Sequence, residues 1–289
     1  CISPKAVLYG SIASNVARIK SLVVAISGMG HLFLKDKHES FLRIVFRKIY
    51  ISLLKINFKL TKKLVVIVQN NDDKYLIENS ISEKNNVHLI KGSGVDLNEF
   101  DNINFENKKK IVLLVSRMLK EKGVLEFIEA AKTIKNLHPN WRFILVGAAD
   151  YDNPSAISKK FLNVISSDGM VEWHGHSSSI KDYMKEASIV CLPSYREGMP
   201  KVLLEAAAAG CATVTTNVPG CREAIQNNVT GTLVELNNQK ALNSAILNLI
   251  NNKEMRERYG KNGIDLAIKR FGIDSVVDKH LEIYNMLEN

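Results

Sequence analysis

The run Ile111-Val112-Leu113-Leu114-Val115 contains no polar position, so a strand built from it has to be covered on both faces. Further strands are expected at residues 21–26, 63–69, 87–90, 142–146, 171–174, 189–192 and 212–215, with helical patterns between them. Strand alternating with helix along a whole chain points to α/β architecture, parallel sheets wound on both faces by helices. Gly92-Ser93-Gly94-Val95-Asp96 and the polar stretch after it, as far as Lys110, interrupt the alternation and read as a linker. At 289 residues with 46% hydrophobic content, the chain can bury large cores, and its length suggests about two domains.

The apolar run at 111–115 leads into Ser116-Arg117-Met118-Leu119-Lys120-Glu121-Lys122-Gly123. A helical pattern follows over 124–134, with Leu125, Ile128 and Ala131 expected on one face. Arg117 and Lys122 therefore flank a strand-to-helix turn. Ligands of open α/β sheets bind at the carboxyl ends of strands, and a guanidinium beside an ammonium suits two linked phosphates. The alternative is two ordinary surface charges in a Lys-rich chain; Gly123 and the turn position favour the clamp.

A second constellation is Pro193-Ser194-Tyr195-Arg196-Glu197-Gly198-Met199-Pro200-Lys201-Val202-Leu203-Leu204-Glu205, with carboxylates eight positions apart. Pro200 suits the first position of a helix, and Gly210 suits its end. On that reading the helix begins just after Glu197, and backbone N–H groups at Gly198 and Met199 join the positive end of its dipole to receive phosphate or hydroxyl oxygens. Gly198 would let a ligand approach closely. Glu205 would lie about 7.5 Å further along, within reach of the other end of one ligand. The alternative is an amphipathic helix carrying two solvated acids.

This segment resembles the E-x7-E signature of retaining GT-B glycosyltransferases of the group 1 type, also called glycosyltransferase family 4, in particular the branch that builds bacterial capsule and O-antigen polysaccharides. The resemblance continues through Val218-Pro219-Gly220-Cys221-Arg222-Glu223-Ala224-Ile225 and Asn228-Val229-Thr230-Gly231-Thr232-Leu233-Val234, and it includes the turn from Val115 to Gly123. It implies a GT-B fold, two Rossmann-like doubly wound domains facing a cleft. Residues 1–95 would form a partial acceptor-side domain, 96–110 the linker and 111–272 the nucleotide-sugar domain. Residues 273–289 would be a helix returning to the first domain. Because the chain opens on Cys1-Ile2-Ser3-Pro4-Lys5 rather than Met, and relatives carry further βα units before this point, the first domain is expected to be truncated. The resemblance further implies a metal-independent hexosyltransferase that takes a nucleotide-diphosphate sugar, a UDP-sugar before others, and needs no cofactor. Arg117 and Lys122 would hold the diphosphate, Glu205 the ribose, His174 and Gly175 the base, and Glu197 a donor-sugar hydroxyl, with Gly198, Met199 and Pro200 completing the donor site. Glu197, Arg117 and Lys122 would be the catalytic set, and the acceptor would be lipid-linked or a growing glycan. One departure stands out. Relatives carry a His near the strand end that here reads Ile26-Ser27-Gly28-Met29, so its contact with the donor must be absent or replaced.

Charge separates the two halves. Residues 1–110 hold 18 Lys and Arg against 10 Asp and Glu, a net +8 of the chain's +9. Residues 41–60 interleave Arg43, Arg47, Lys48, Lys55 and Lys59 with aromatic and aliphatic residues, a pattern suited to anionic lipid headgroups. A basic face on a partly buried helical hairpin is the other reading. No recognised nucleic-acid module accompanies the pI of 9.2, so nucleic acid is not expected as a partner. Four cysteines without metal spacing point to a reducing cytoplasm, and with no run long enough to span a bilayer the expected location is the inner face of the cytoplasmic membrane, held peripherally.

Three further motifs carry less. Asp150-Tyr151-Asp152 resembles a metal-binding Asp-x-Asp, yet no further oxygen ligands accompany it, and no metal is assigned. Gly28-Met29-Gly30 lacks the third glycine of a dinucleotide fingerprint. His174 and His176 bracket Gly175 at a strand end, a better arrangement for base contacts than for metal. Within the same fold, a sugar-nucleotide epimerase or a phosphorylase stays open as an alternative. So does a non-catalytic sugar-nucleotide-binding fragment.

Overall fold

A computed structural model describes residues 2–29, 33, 40–82, 86–150 and 152–288, so Cys1, Gly30 and Tyr151 of the motifs above lie outside the described residues. The chain divides into two compact units, one made of Cys1–Gly94, Arg196–Met199 and Ile273–Asn289, the other of Val95–Tyr195 and Pro200–Gly272.

The first unit runs α1 (Pro4–Val16), β1 (Ser21–Ile26), α2 (Phe41–Leu60), β2 (Lys63–Val68), α3 (Asn71–Ser80) and β3 (Val87–Leu89). Its strands form a parallel sheet in the order β1-β2-β3, with Val24 opposite Val66 and Val66 opposite Val87. Alternate residues point to opposite faces, so the sheet is covered twice. Val24, Ile26, Val66 and Val68 meet Leu54, Phe58 and Ile77 from α2 and α3 on one side. On the other, Val65, Ile67 and Ile90 meet Val276 and Ile283 of the last helix. Asn15 ties α1 to α2, its Nδ2 donating to the Asn57 carbonyl at 2.9 Å.

On α2 the buried face holds Leu54 and Phe58. The opposite face carries Leu42, Phe46, Ile49, Leu53, Ile56 and Leu60, spaced 4-3-4-3-4 and between 39% and 65% exposed. That spacing keeps all six on one narrow stripe. The helix contains five cations and no acidic residue. Among the described residues no helix is long and apolar enough to cross a membrane.

The second unit contains β4 (Lys109–Val115), α4 (Val124–Lys135), β5 (Arg142–Val146), α5 (Lys159–Ser167), β6 (Glu172–Trp173), α6 (Ile180–Glu186) and β7 (Ala187–Leu192). It continues through α7 (Lys201–Ala208), β8 (Ala212–Thr216), α8 (Cys221–Ala224), β9 (Gly231–Val234), α9 (Gln239–Asn251) and α10 (Lys253–Arg270). The six strands are all parallel, in the order β6-β5-β4-β7-β8-β9. Counted within the unit this is 3-2-1-4-5-6, the Rossmann order, whose topological switch point lies between β4 and β7. Ile111, Val112, Leu113 and Leu114 are at most 3% exposed, as the unbroken apolar run requires. Phe127 and Phe143 meet edge to face at 5.6 Å in the core. The final helix, α11 (Ile273–Glu288), groups with the first unit.

Three expectations need correction. The stretch 96–110 is part of the second unit's fold rather than a free linker. Asp96 and Asn104 cap two 3-10 turns, Leu97–Phe100 and Phe105–Asn107, and β4 already starts at Lys109. Lys108 is drawn in because its Nζ donates to the carbonyls of Ala209 at 2.7 Å and Met184 at 2.9 Å, at the ends of α7 and α6. Ile128 and Ala131 of α4 are buried as expected, but Leu125 is 39% exposed, and the buried face is completed instead by Val124, Phe127, Ala130 and Ile134. The short strand expected over 171–174 is confined to Glu172–Trp173.

Candidate active site

The turn after β4 is built to hold its shape. Ser116 N donates to Val146 O at 3.1 Å, Met118 N to Ala148 O at 2.9 Å, and Ile157 N to Met118 O at 2.9 Å, which joins it to the loop after β5. Arg117 projects from this turn, 61% exposed, with Nη1 2.7 Å from Asp150 Oδ2. Lys122 ends a 3-10 turn, Lys120–Lys122, and is half-buried. Gly123 follows at φ 73°, and a Cβ there would sit 2.1 Å from Pro193 O. Only glycine tolerates both the left-handed backbone and that approach. Glu121 O receives Tyr195 N at 2.9 Å and Ser194 Oγ at 3.1 Å, so the loops after β4 and β7 are bonded to each other at the switch point.

His174 and Gly175 follow β6. The His174 ring lies 3.0 Å from Tyr183 Oη through Nδ1 and 3.4 Å from Glu172 Oε2 through Nε2. Arg142 Nε donates to Glu172 Oε1 at 2.8 Å, and this hydrogen bond holds the Glu172 carboxyl below the usual range. Gly175 O accepts from Gly147 N at 2.6 Å. Glu205 sits mid-helix on α7 with Lys201 Nζ 3.2 Å away. Arg117, Lys122, His174 and Gly175 thus lie in loops that leave the carboxyl ends of strands in one sheet, and Glu205 on the helix that follows the loop after β7.

Glu197, Gly198 and Met199 are placed differently from the expectation. Helix α7 starts at Lys201, and Pro200 is its cap in extended conformation, φ −72° and ψ 112°. Gly198 and Met199 precede the helix and are buried within the first unit, so their N–H groups are not part of a helix N-terminus. Gly198 is glycine for a packing reason, since an added Cβ would lie 1.7 Å from Ser27 O. The backbone at Ser27 and Gly28, where the resemblance leads one to expect a His nearby, is closely met by Gly198.

Sequence reasoning missed Asn70 and Asp73. Asn70, wholly buried, caps α3 through its Oδ1, which accepts from Asp73 N at 2.8 Å. Its Nδ2 donates to Asp73 Oδ2 at 2.9 Å and to Gly198 O at 2.7 Å. Asp73 Oδ1 in turn accepts from Arg196 Nη2. Burial pushes the Asp73 carboxyl above its ordinary range, against the opposing pull of Arg196 and Asn70. The legible signal was only the helix cap, Asn followed three residues later by Asp; the partners stand more than 120 residues away.

Other reactive groups are tied up. Cys191, Cys211 and Cys221 are buried thiols outside any disulfide, and burial pushes the Cys191 and Cys211 thiols up, away from nucleophilic thiolate. Asp150 is paired with Arg117, and among the described residues no group of three His, Cys, Asp or Glu is arranged to hold a metal ion. In the first unit a cavity of about 540 Å³ opens beyond β1, β2 and β3, lined by Ile26, Gln69, Ile90, Met199, Val276 and Tyr284 among others.

Comparison with known proteins agrees with this architecture. The chain is 30% identical over 290 residues to the N,N'-diacetylbacillosaminyl-diphospho-undecaprenol alpha-1,3-N-acetylgalactosaminyltransferase of Campylobacter jejuni, covering 96% of this chain and 73% of that protein. It is 26% identical to the Escherichia coli UDP-Gal:alpha-D-GlcNAc-diphosphoundecaprenol alpha-1,3-galactosyltransferase, over 98% of this chain and 73% of the relative. The Anabaena HepE structure in complex with UDP superposes with a TM-score of 0.78 at 20% identity, over 98% of this chain and 77% of that one. Sucrose-phosphate synthase from Thermosynechococcus elongatus superposes at 0.80 with 20% identity, over 97% and 72%. The family described as glycosyl transferases group 1 matches residues 96–266. With a GT-B α/β fold and that match over more than half its length, the chain belongs to the glycosyl transferases group 1 family.

Proposed function

We propose that this chain transfers a hexosyl group from a UDP-sugar to a lipid-diphosphate-linked or growing-glycan acceptor in the assembly of a bacterial surface polysaccharide, with retention and without a metal ion. The observation that carries the reading is the pair Arg117 and Lys122 on the turn after β4, at the switch point of a Rossmann-ordered sheet in a chain of this family. The names of the Campylobacter and Escherichia relatives, both of which act on diphosphoundecaprenol-linked sugars, support the acceptor class.

On this reading Arg117 and Lys122 hold the diphosphate and stabilise the negative charge that grows on it as the sugar leaves. Preorganised cations matter most at that moment, because they are stronger in the transition state than in the ground state. They supply the charge a divalent ion supplies elsewhere. Glu205 takes the ribose hydroxyls, His174 and Gly175 the base, and Glu197 a hydroxyl of the donor sugar. Gly198, Met199 and Pro200 complete the donor site. The acceptor binds to the first unit, whose apolar cavity is of a size that suits a small ligand or part of a larger one. The exposed apolar stripe of α2, with five cations and no acid on the helix, rests on anionic lipid at the cytoplasmic face. Each basic residue there contributes about 1 kcal/mol.

The test is transfer from UDP-galactose and UDP-N-acetylgalactosamine to GlcNAc-diphosphoundecaprenol in the presence of EDTA, with the product anomer read by NMR. The reading expects acceptor-dependent turnover with the donor's configuration kept. Epimerised donor without acceptor, or tight UDP binding without any turnover, would replace it with the epimerase or the binding fragment. Loss of activity on EDTA that Mn²⁺ restores would move Asp150 and Asp152 into the site. Vesicle co-sedimentation checks the membrane contact. The parent should bind anionic vesicles at low salt and release at high salt, and a variant with Arg43, Arg47, Lys55 and Lys59 changed to Gln should bind less; equal sedimentation of both would leave α2 an ordinary solvated face.

A further inference from the structure

We infer that Asn70 and Asp73 are positioning residues for Glu197, acting through the backbone on either side of it; this rests on the proposed contact of Glu197 with the donor sugar. The four residues Arg196–Met199 belong to the first unit although the chain before and after them belongs to the second. Such an excursion needs anchors. Two of them, among the described residues, bracket Glu197. On its N-terminal side, the Arg196 guanidinium is bonded to the wholly buried Asp73 carboxylate. On its C-terminal side, Gly198 O receives Asn70 Nδ2 at 2.7 Å, and the Gly198 backbone is seated against Ser27 O, leaving no room for a Cβ.

The arrangement of Asn70 leaves no choice in its amide. Its two N–H groups point to two acceptors, Asp73 Oδ2 and Gly198 O, and its oxygen to the Asp73 N–H. That uses both donors and fixes which end is which. One side chain therefore couples three things, the first turn of α3, the partner of Arg196 and the carbonyl next to Glu197. A helix needs only the first of these. Serine caps helices about as well as asparagine, so capping alone does not ask for an amide. The amide N–H groups are what reach Gly198 and orient Asp73 toward Arg196. A carboxylate that must meet one sugar hydroxyl gains from such a setting, because misplacement by about 1 Å can cost on the order of 10²-fold in rate.

The experiment compares Asn70→Ser, which retains a cap oxygen and removes both amide N–H donors, leaving a hydroxyl too short to reach Gly198 O, with Glu197→Ala and the double variant. Hydrogen exchange is read over residues 195–200 and over α3, and turnover is measured with UDP-galactose or UDP-N-acetylgalactosamine. We expect Asn70→Ser to raise exchange at 195–200 about tenfold while α3 keeps its protection. We expect kcat to fall about tenfold with KM within twofold, and less than twofold further loss when the same change is made on Glu197→Ala. Unchanged exchange at 195–200 overturns the inference, whatever the activity. So does a kcat loss of equal size in both backgrounds, because the effect then does not pass through Glu197. If Glu197→Ala alone stays within twofold of the parent, the donor contact itself is wrong and the inference falls with it. If Glu197→Ala loses activity and Asn70→Ser does not, only the positioning role is lost.

Discussion

The turn from Ser116 to Gly123 and the segment from Arg196 to Pro200 both follow a buried parallel strand and both lead to a helix, yet they are held in different ways. The first is fixed by neighbours in its own unit: the loop after β5, the Pro193 carbonyl and a left-handed glycine. The second is fixed by Asn70, Asp73 and Ser27, which belong to the other end of the sequence. Local chemistry sets the half of this comparison that carries Arg117 and Lys122, and a long-range network sets the half that carries Glu197. A fault in the first half should therefore be felt as lost stability of a core, and a fault in the second as a displaced Glu197.

The largest expected effect comes from Gly123→Ala. It adds a left-handed penalty of about 1–2 kcal/mol and an overlap with Pro193 O worth about 1–3 kcal/mol more, so thermal or urea unfolding of the second unit should shift clearly downward. Unfolding is read with two probes, since two units need not melt together. Gly198→Ala should cost less, about 1–3 kcal/mol, and should lower turnover out of proportion to that loss, because the overlap with Ser27 O pushes Glu197 with it. Equal stability losses with equal activity losses in the two variants would erase the distinction between the halves.

The smallest effect belongs to Glu172→Gln beside the proposed base site. The pair with Arg142 is half-exposed and worth about 0.2–1 kcal/mol at neutral pH. Because its hydrogen bond to Arg142 holds the carboxyl of folded Glu172 below the ordinary glutamate range, that stability is present above the ordinary range and fades as pH falls through the lower folded value. The gap between parent and variant in a melting series should close on acidification. A gap that widens would mean another group dominates there.

The sheets were legible because a strand covered on both faces shows itself as an unbroken apolar run, and each of the long runs folded as one. The cationic turn was legible for a related reason: Gly123 and the strand-to-helix switch lie within a dozen residues of each other. What failed were readings that treated a local signal as sufficient. Pro200 looked like the first helical residue, but the chain before it is pulled away by bonds to Asn70 and Asp73, so the helix waits until Lys201. The polar stretch before β4 looked like a linker because it is polar and follows the glycine break at 92–96. Within it Asp96 and Asn104 are turn caps, and Lys108 is a cap for two helix ends. Leu125 was assigned inward from apolar spacing alone, while Phe127, two residues on and nearly opposite it on the helix, offers a larger surface to bury.

The central claim is that Arg117 and Lys122 hold and stabilise the departing diphosphate. It is tested most directly by kcat/KM at subsaturating UDP-sugar for Arg117→Ala and Lys122→Ala against the parent, with unfolding curves taken on the same preparations. Each change should lower kcat/KM by roughly 10²-fold or more, about 2.7 kcal/mol of transition-state stabilisation, with little change in unfolding. Variants that keep near-parental kcat/KM would contradict the account.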